Sequence, residues 1–253
     1  MQQWQAREAV VEIGRRLWQR GYVAANDGNI SVRLEDDRLL ATPTGVSKGF
    51  MEPGMLILCD LEGRVIQGEH KPSSELKMHL LAYRMRPDVG AVVHAHPPVA
   101  TAFSTAGVPL DKCVLPESVL TLGAIPIAPY ATPSTDEIPE SLEPFVLRCD
   151  AVLLANHGAV TWAGDLTTAY YRMETLEHTA TITRNAMLLG NVNLLGADDV
   201  QKLQQVRQQM GIPGQALACR TANGPQPEAS ASDERERIIQ AVTREVLSKL
   251  ARR

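Results

Sequence analysis

His94 and His96 flank a single residue at the end of the apolar run 90–93, and His157 directly follows another apolar run at 151–155. Side chains alternate along a strand, so His94 and His96 project from the same face. Two imidazoles held in this way can grip one metal ion. A third from another strand end gives three neutral nitrogen ligands with an open fourth position, the donor set of a catalytic zinc-type site. The plainer reading is three ordinary core or strand-end histidines. The third histidine and a carboxylate motif at 75 favour the metal.

That carboxylate belongs to Lys71-Pro72-Ser73-Ser74-Glu75, at the expected start of a helix. Free N–H groups at a helix start favour an anion, and two serine hydroxyls add donors. Asn26-Asp27-Gly28-Asn29-Ile30-Ser31 and Thr42-Pro43-Thr44-Gly45 supply similar short polar and glycine chemistry. Each loop taken singly also reads as a turn or a helix cap. Glu75 beside a metal could take up or return a proton; its plain role is to favour the helix N-terminus.

The elements that must position these residues follow from periodicity. Ala6, Ala9, Val10, Ile13 and Leu17 predict a helix over about 5–20, stopped by Gly21. Hairpins are expected at 29–42, turning at Glu35-Asp36-Asp37, and at 55–67 around Glu62-Gly63. An amphipathic helix is expected over 74–86, strands at 89–94, 124–128 and 151–155, and another strand from Val160. Short helices follow Pro97 and span 136–146, and longer ones span 166–188 and 198–210. Hairpins without strict βαβ alternation predict an α/β fold with a largely antiparallel sheet flanked by helices.

The chain has 253 residues, 44% of them hydrophobic, with a net charge of -4. This fits a soluble globular protein and gives no basic field for nucleic acid. No apolar stretch approaches the roughly 20 residues that span a bilayer, and no secretory signal is visible, so a cytoplasmic protein is expected. Cys59, Cys113, Cys149 and Cys219 form no paired motif and read as incidental thiols in a reducing compartment. Three segments are expected: a catalytic domain over 1–210, a flexible Pro/Gly/Ser-rich linker over 211–232, and an amphipathic helix over 233–253. Ile238, Ile239, Val242, Val246 and Leu250 form the apolar stripe of that helix.

Gly28-Asn29-x-Ser31, Thr44-Gly45, Ser73-Ser74-Glu75, His94-x-His96 and Asn156-His157-Gly158 together resemble the class II aldolase/adducin family, over roughly residues 3–205. The resemblance implies a three-layer α/β/α sandwich around a mostly antiparallel central sheet. It also implies a homotetramer with active sites at subunit interfaces. It makes His94, His96 and His157 ligands of one Zn²⁺ per subunit and Glu75 the acid/base. Asn29, Ser31, Thr44, Gly45, Ser73 and Ser74 would cradle a substrate phosphate. The implied reaction is cleavage of a phosphorylated deoxyketose, of the fuculose or rhamnulose 1-phosphate type, to dihydroxyacetone phosphate and an aldehyde such as lactaldehyde. Dehydratases, epimerases and decarboxylases share the fold and are the alternatives, as is a non-catalytic adducin-like binding module.

The chain also departs from the fuculose-type pattern. That pattern uses a tyrosine near its C-terminus, and this chain has none beyond Tyr171. Glu117 stands where a dehydratase branch of the family places an acid/base, but it also reads as a cap residue after Pro116. Tyr130 could offer a hydroxyl to the aldehyde end. The terminal helix resembles the encapsulation peptides of bacterial microcompartments, which implies a shell protein as partner.

Overall fold

Strand parity sorts the apolar residues of this chain onto two faces. A computed structural model describes residues 2–35 and 38–223. Among these residues eight strands form one sheet: β1 (Asn29–Arg33), β2 (Leu39–Ala41), β3 (Ile57–Cys59), β4 (Val65–Gln67), β5 (Ala91–Ala95), β6 (Ile127–Ala128), β7 (Ala151–Leu154) and β8 (Gly158–Ala163). Their order is β4-β3-β2-β1-β5-β8-β7-β6. Every pairing is antiparallel except β6–β7, which is parallel.

Seven α-helices are described: α1 (Gln3–Gln19), α2 (Leu76–Met85), α3 (Pro98–Thr105), α4 (Pro116–Thr121), α5 (Glu137–Val146), α6 (Leu166–Leu189) and α7 (Ala197–Gln209). Ile30, Val32, Ala91, Val93, Leu153 and Ala159 face a core closed by Val10 and Leu17 of α1, Phe103 of α3, and Ala169 and Met173 of α6. The alternate residues Val92, Val152, Leu154, Val160 and Trp162 face a second core closed by Met78 and Tyr83 of α2 and Ile138 and Leu142 of α5. Helices on both faces of a mostly antiparallel sheet make the expected α/β/α sandwich.

Local chemistry fixes the helix starts. Gln2 and Gln5 form a reciprocal capping box at α1. The Asp165 carboxylate accepts from the Thr168 N–H at α6. The first turn of α3 is capped from a distance: Glu177 of α6 accepts from the N–H groups of Val99 and Ala100. This pins the chain just after His96.

Three expectations need correcting. The six-residue helix α4 was not foreseen, because one and a half turns after Pro116 are too short for a periodic signal. Cys113 and Cys219 form a disulfide rather than standing as free thiols, while Cys59 and Cys149 are free and buried. Partners 106 residues apart leave no mark in cysteine spacing.

Third, the part of the expected linker that is described, 211–223, is tied to the domain. Arg172 donates to the Pro213 carbonyl, Ala124 N–H to the Leu217 carbonyl, and Cys113 N–H to the Arg220 carbonyl. Gln215 N–H donates to the buried Asp150, which also pairs with Arg86 and Arg172. The Asp36-Asp37 turn, the rest of the linker and the expected helix over 233–253 lie outside the described residues.

Candidate metal centre and active site

The three histidines meet at one end of the sheet. His94 lies in β5 on the face covered by α2, its Cα opposite Asn29 of β1. His96 lies just beyond β5, where its N–H donates to the Tyr22 carbonyl. His157 sits in the β7–β8 turn, whose geometry puts Asn156 at φ +57°, a left-handed conformation that asparagine tolerates. Gly158 follows because a Cβ there would lie 2.6 Å from both the Ala95 carbonyl oxygen and the His96 ring. The ring centroids are 4.9–5.0 Å apart, and one nitrogen from each ring lies within 4.8 Å of the others.

The chemistry of the donors fits a cation. The buried His94 Nδ1–H donates to the Ala159 carbonyl at 2.9 Å, which leaves the Nε2 lone pair pointing into the cluster. His96 Nδ1 faces the Asp27 carboxylate at 3.5 Å. Its Nε2 lies 3.1 Å from His94 Nε2, so two lone pairs face one another and a shared positive charge relieves them. Burial holds His94 down at about 3 and also lowers His96, which keeps both rings neutral, as metal ligation requires.

Glu75 stands at the N-cap position of α2, and its side chain reaches into the same cluster instead of capping the helix. Its Oε1 is 3.0 Å from His157 Nε2, and its Oε2 is 3.4 Å from His94 Nε2. Asn29 Nδ2 donates to Oε2 at 2.8 Å. Burial alone would raise this carboxyl, but the hydrogen bonds donated by His157 and Asn29 hold it below the usual carboxylate range. It is therefore ionised at neutral pH and can accept a proton.

The expected anion loops are brought together in part. Thr44 N–H donates to the Lys71 carbonyl, and Pro43 bridges to Pro72, so Thr44 and Gly45 stand beside Ser73 and Ser74. Gly45 needs its φ of +73°. Ser73 Oγ accepts from Asn29 Nδ2 and from the Glu75 N–H, and Ser74 Oγ accepts from Ser134.

Ser31 is a correction. It is fully buried, with its hydroxyl engaged by His79 and Tyr83, and cannot reach a substrate phosphate. Strand parity puts Ser31 on the α2 face two residues deeper than Asn29. Glu117 is exposed in the first turn of α4, a helix that packs against α6 and α7. Tyr130 lies two residues beyond β6 and is 63% exposed. Neither is drawn into the histidine cluster by a hydrogen bond or ion pair among the described residues.

Sequence reasoning missed Asp27 as the partner of His96. It also missed Lys48, whose buried ammonium donates to the carbonyls of Asn26 and Val46 and so ties two of the polar loops together. Burial lowers its pKa to about 8 against the pull of Asp27 and Glu75. Only the position of Asp27 within its polar loop could have drawn attention to it; Lys48 carried no signal.

The family model described as "Class II Aldolase and Adducin N-terminal domain" matches residues 8–183. A 3-oxo-tetronate 4-phosphate decarboxylase of Haemophilus influenzae is 39% identical over 182 residues, covering 69% of this chain and 84% of the relative. An L-fuculose phosphate aldolase of Methanococcus maripaludis is 38% identical over 170 residues, covering 67% of this chain and 91% of the relative. The solved structure of an L-fuculose 1-phosphate aldolase matches with a TM-score of 0.75 at 28% identity, covering 80% of this chain and 95% of that one.

Proposed function

Because the chain belongs to the class II aldolase and adducin family, we propose that it is a metal-dependent lyase that breaks a carbon–carbon bond beside the ketone of a small phosphorylated sugar derivative. The convergence of His94, His96, His157 and Glu75 carries this reading. Zinc suits the three-imidazole set, one ion per subunit. When bound, it would polarise the ketone and the neighbouring hydroxyl.

Two substrate classes converge on one intermediate. Loss of carbon dioxide from a 3-oxo-tetronate 4-phosphate and loss of an aldehyde from a ketose 1-phosphate both leave the enediolate of dihydroxyacetone phosphate. Decarboxylation stands first, because the relative of that name is matched at higher identity and over more of this chain. Aldol cleavage of a deoxyketose 1-phosphate, the expectation from motifs alone, stands second. In both, Thr44, Gly45, Ser73 and Ser74 hold the phosphate, and Glu75 moves the proton at the carbon next to the ketone. Tyr130 and Glu117 are reserved for the leaving group, because only aldol cleavage needs a second group, one that takes the proton from the hydroxyl that becomes the aldehyde.

The experiment is product analysis by mass on 3-oxo-tetronate 4-phosphates and a panel of ketose 1-phosphates. Carbon dioxide and dihydroxyacetone phosphate support the first reading, and dihydroxyacetone phosphate with an aldehyde the second. Loss of water or unchanged mass would assign a dehydratase or an epimerase instead. Glu75→Gln is expected to retain the metal and lose most turnover, and His96→Ala to lose the metal.

A homotetramer with active sites between subunits, and a cytoplasmic location inside a microcompartment reached through residues 233–253, complete the proposal. The exposed pair Trp18–Phe50, with ring centroids 5.2 Å apart, supports contact between copies. Native mass spectrometry tests the assembly. A fluorescent protein fused to 233–253 tests the address: it should enter shells, and diffuse signal in shell-forming cells would refute it.

A further inference from the structure

A chain of buried hydrogen bonds runs behind Glu75, and its polarity is fully determined. An ionised carboxylate only accepts, so the Asn29 amide must turn its Nδ2 to Glu75 Oε2 (2.8 Å), and the same nitrogen reaches Ser73 Oγ (3.2 Å). The amide oxygen Oδ1 then faces His79 Nε2 at 2.6 Å, so Nε2 must carry the proton. In a neutral ring Nδ1 is then an acceptor, and it takes the Ser31 hydroxyl proton at 2.7 Å. Ser31 Oγ, its proton committed, accepts from the Tyr83 hydroxyl at 2.8 Å. Every donor has one acceptor, and the order cannot be reversed without leaving two lone pairs or two protons face to face.

We propose that His79 is a positioning residue for the proton-transfer carboxylate: its Nε2–H tautomer, fixed by Ser31 and Tyr83, locks the Asn29 amide so that Nδ2 points at Glu75 and Ser73. This deepens the proposed function and rests on it for its catalytic consequence. The placement is built into the fold. Ser31 and Asn29 share one face of β1, and His79 and Tyr83 lie one turn apart on α2, on the side that covers that face. All four residues are buried. Burial also pulls the His79 ring down to about 3, so it stays neutral through the physiological range, as a one-donor, one-acceptor link requires. A charged ring would present a second N–H to Ser31 and break the order.

Without His79 the buried Asn29 Oδ1 loses its donor, and the amide is held only through Nδ2 by Glu75 and Ser73. The amide is then less firmly fixed, and so is the Glu75 carboxylate it donates to. The consequence falls on proton transfer more than on metal capture, because the His94 ring is held by the Ala159 carbonyl and the His96 ring faces Asp27.

Two measurements on the full chain loaded with zinc test the proposal. In ¹⁵N-histidine NMR, His79 should show the neutral Nε2–H tautomer, unchanged between pH 5 and pH 8; an Nδ1–H tautomer or a titrating ring overturns the proposal. This arm needs no substrate, so it stands even if no sugar phosphate reacts, an outcome that would sink the proposed function alone. The second arm is a double-mutant cycle on whichever substrate the product analysis identifies. His79→Leu should lower kcat about 10-fold or more with zinc content unchanged. His79→Gln, which keeps a side-chain N–H facing Asn29, should recover most of the loss. In an Asn29→Ala background His79→Leu should cost little more. Multiplying losses, or no rescue by glutamine, would reduce His79 to a packing residue and overturn the proposal. If His79→Leu does not fold, the wild-type tautomer and the glutamine variant decide.

Discussion

At the level of single residues, the chain depends on imidazoles kept neutral by burial, and this has a measurable consequence. His79 titrates near 3 in the folded protein against 6.5 as its ordinary value. Between those values the unfolded chain binds the proton and the folded chain does not, so stability rises with pH across that window. The contribution is complete above about 6.5 and is lost progressively as the pH falls toward 3. Thermal melts from pH 7 down to pH 4 should therefore show a shallower decline for His79→Gln than for the parent chain. Equal slopes would contradict the assignment. The same residue marks the limit of what sequence can say. His94, His96 and His157 were legible because each follows an apolar run and strand alternation fixes their face. His79 sits at helical spacing among apolar residues and reads as core, and only the register of β1 against α2 brings it to Asn29. Ser31 was misread for a related reason: a hydroxyl beside a glycine turn suggests a phosphate loop until parity sends it inward.

At the level of elements, two features hold the site and its surroundings. Gly28, at φ +70°, lets β1 enter the sheet beside β5; a Cβ there would lie 2.7 Å from Val23 Cγ1 and 2.8 Å from the His94 carbonyl oxygen. Gly28→Ala combines backbone strain of ~1–3 kcal/mol with that clash. It should weaken metal affinity as well as stability, since Asn29 and His94 are register partners. A variant that melts lower but binds zinc as tightly would show that the clash is absorbed elsewhere. The second feature is the strap formed by the tied segment 211–223, stapled by Cys113–Cys219 across a separation of 106 residues. Cys219→Ser should cost about 2–4 kcal/mol in urea denaturation and open the chain to trypsin at Arg220, with turnover intact. An unchanged midpoint would remove the staple from the account. The long helices, the hairpins and the sheet were legible from hydrophobic period alone. The strap was not, because Pro213, Gly214 and their neighbours have loop composition, and they are held by partners distant in sequence, among them Asp150, Arg172 and Arg207.

At the level of the whole molecule, the proposed metal would be thermodynamically linked to the fold. Three ligands from separated parts of the chain exist as a site only when β5 and the β7–β8 turn are assembled, so binding free energy adds to folding free energy. At a thousandfold excess over its dissociation constant the ion adds about 4 kcal/mol, a rise in Tm of roughly 8–16 °C for a domain of this size. Calorimetry with and without a chelator checks this, and His96→Ala should show no such difference. None of the helices among the described residues is long and apolar enough to cross a membrane.

The central claim is that Glu75 moves a proton at the carbon beside a polarised ketone. The most direct test bypasses the choice of leaving group. Zinc-loaded protein is incubated with dihydroxyacetone phosphate in deuterated water, and exchange at the hydroxymethyl carbon is followed by NMR. The parent protein should replace one of the two hydrogens, and Glu75→Gln none at equal zinc content. Exchange at the buffer rate in the parent, or undiminished exchange in the glutamine variant, would contradict it.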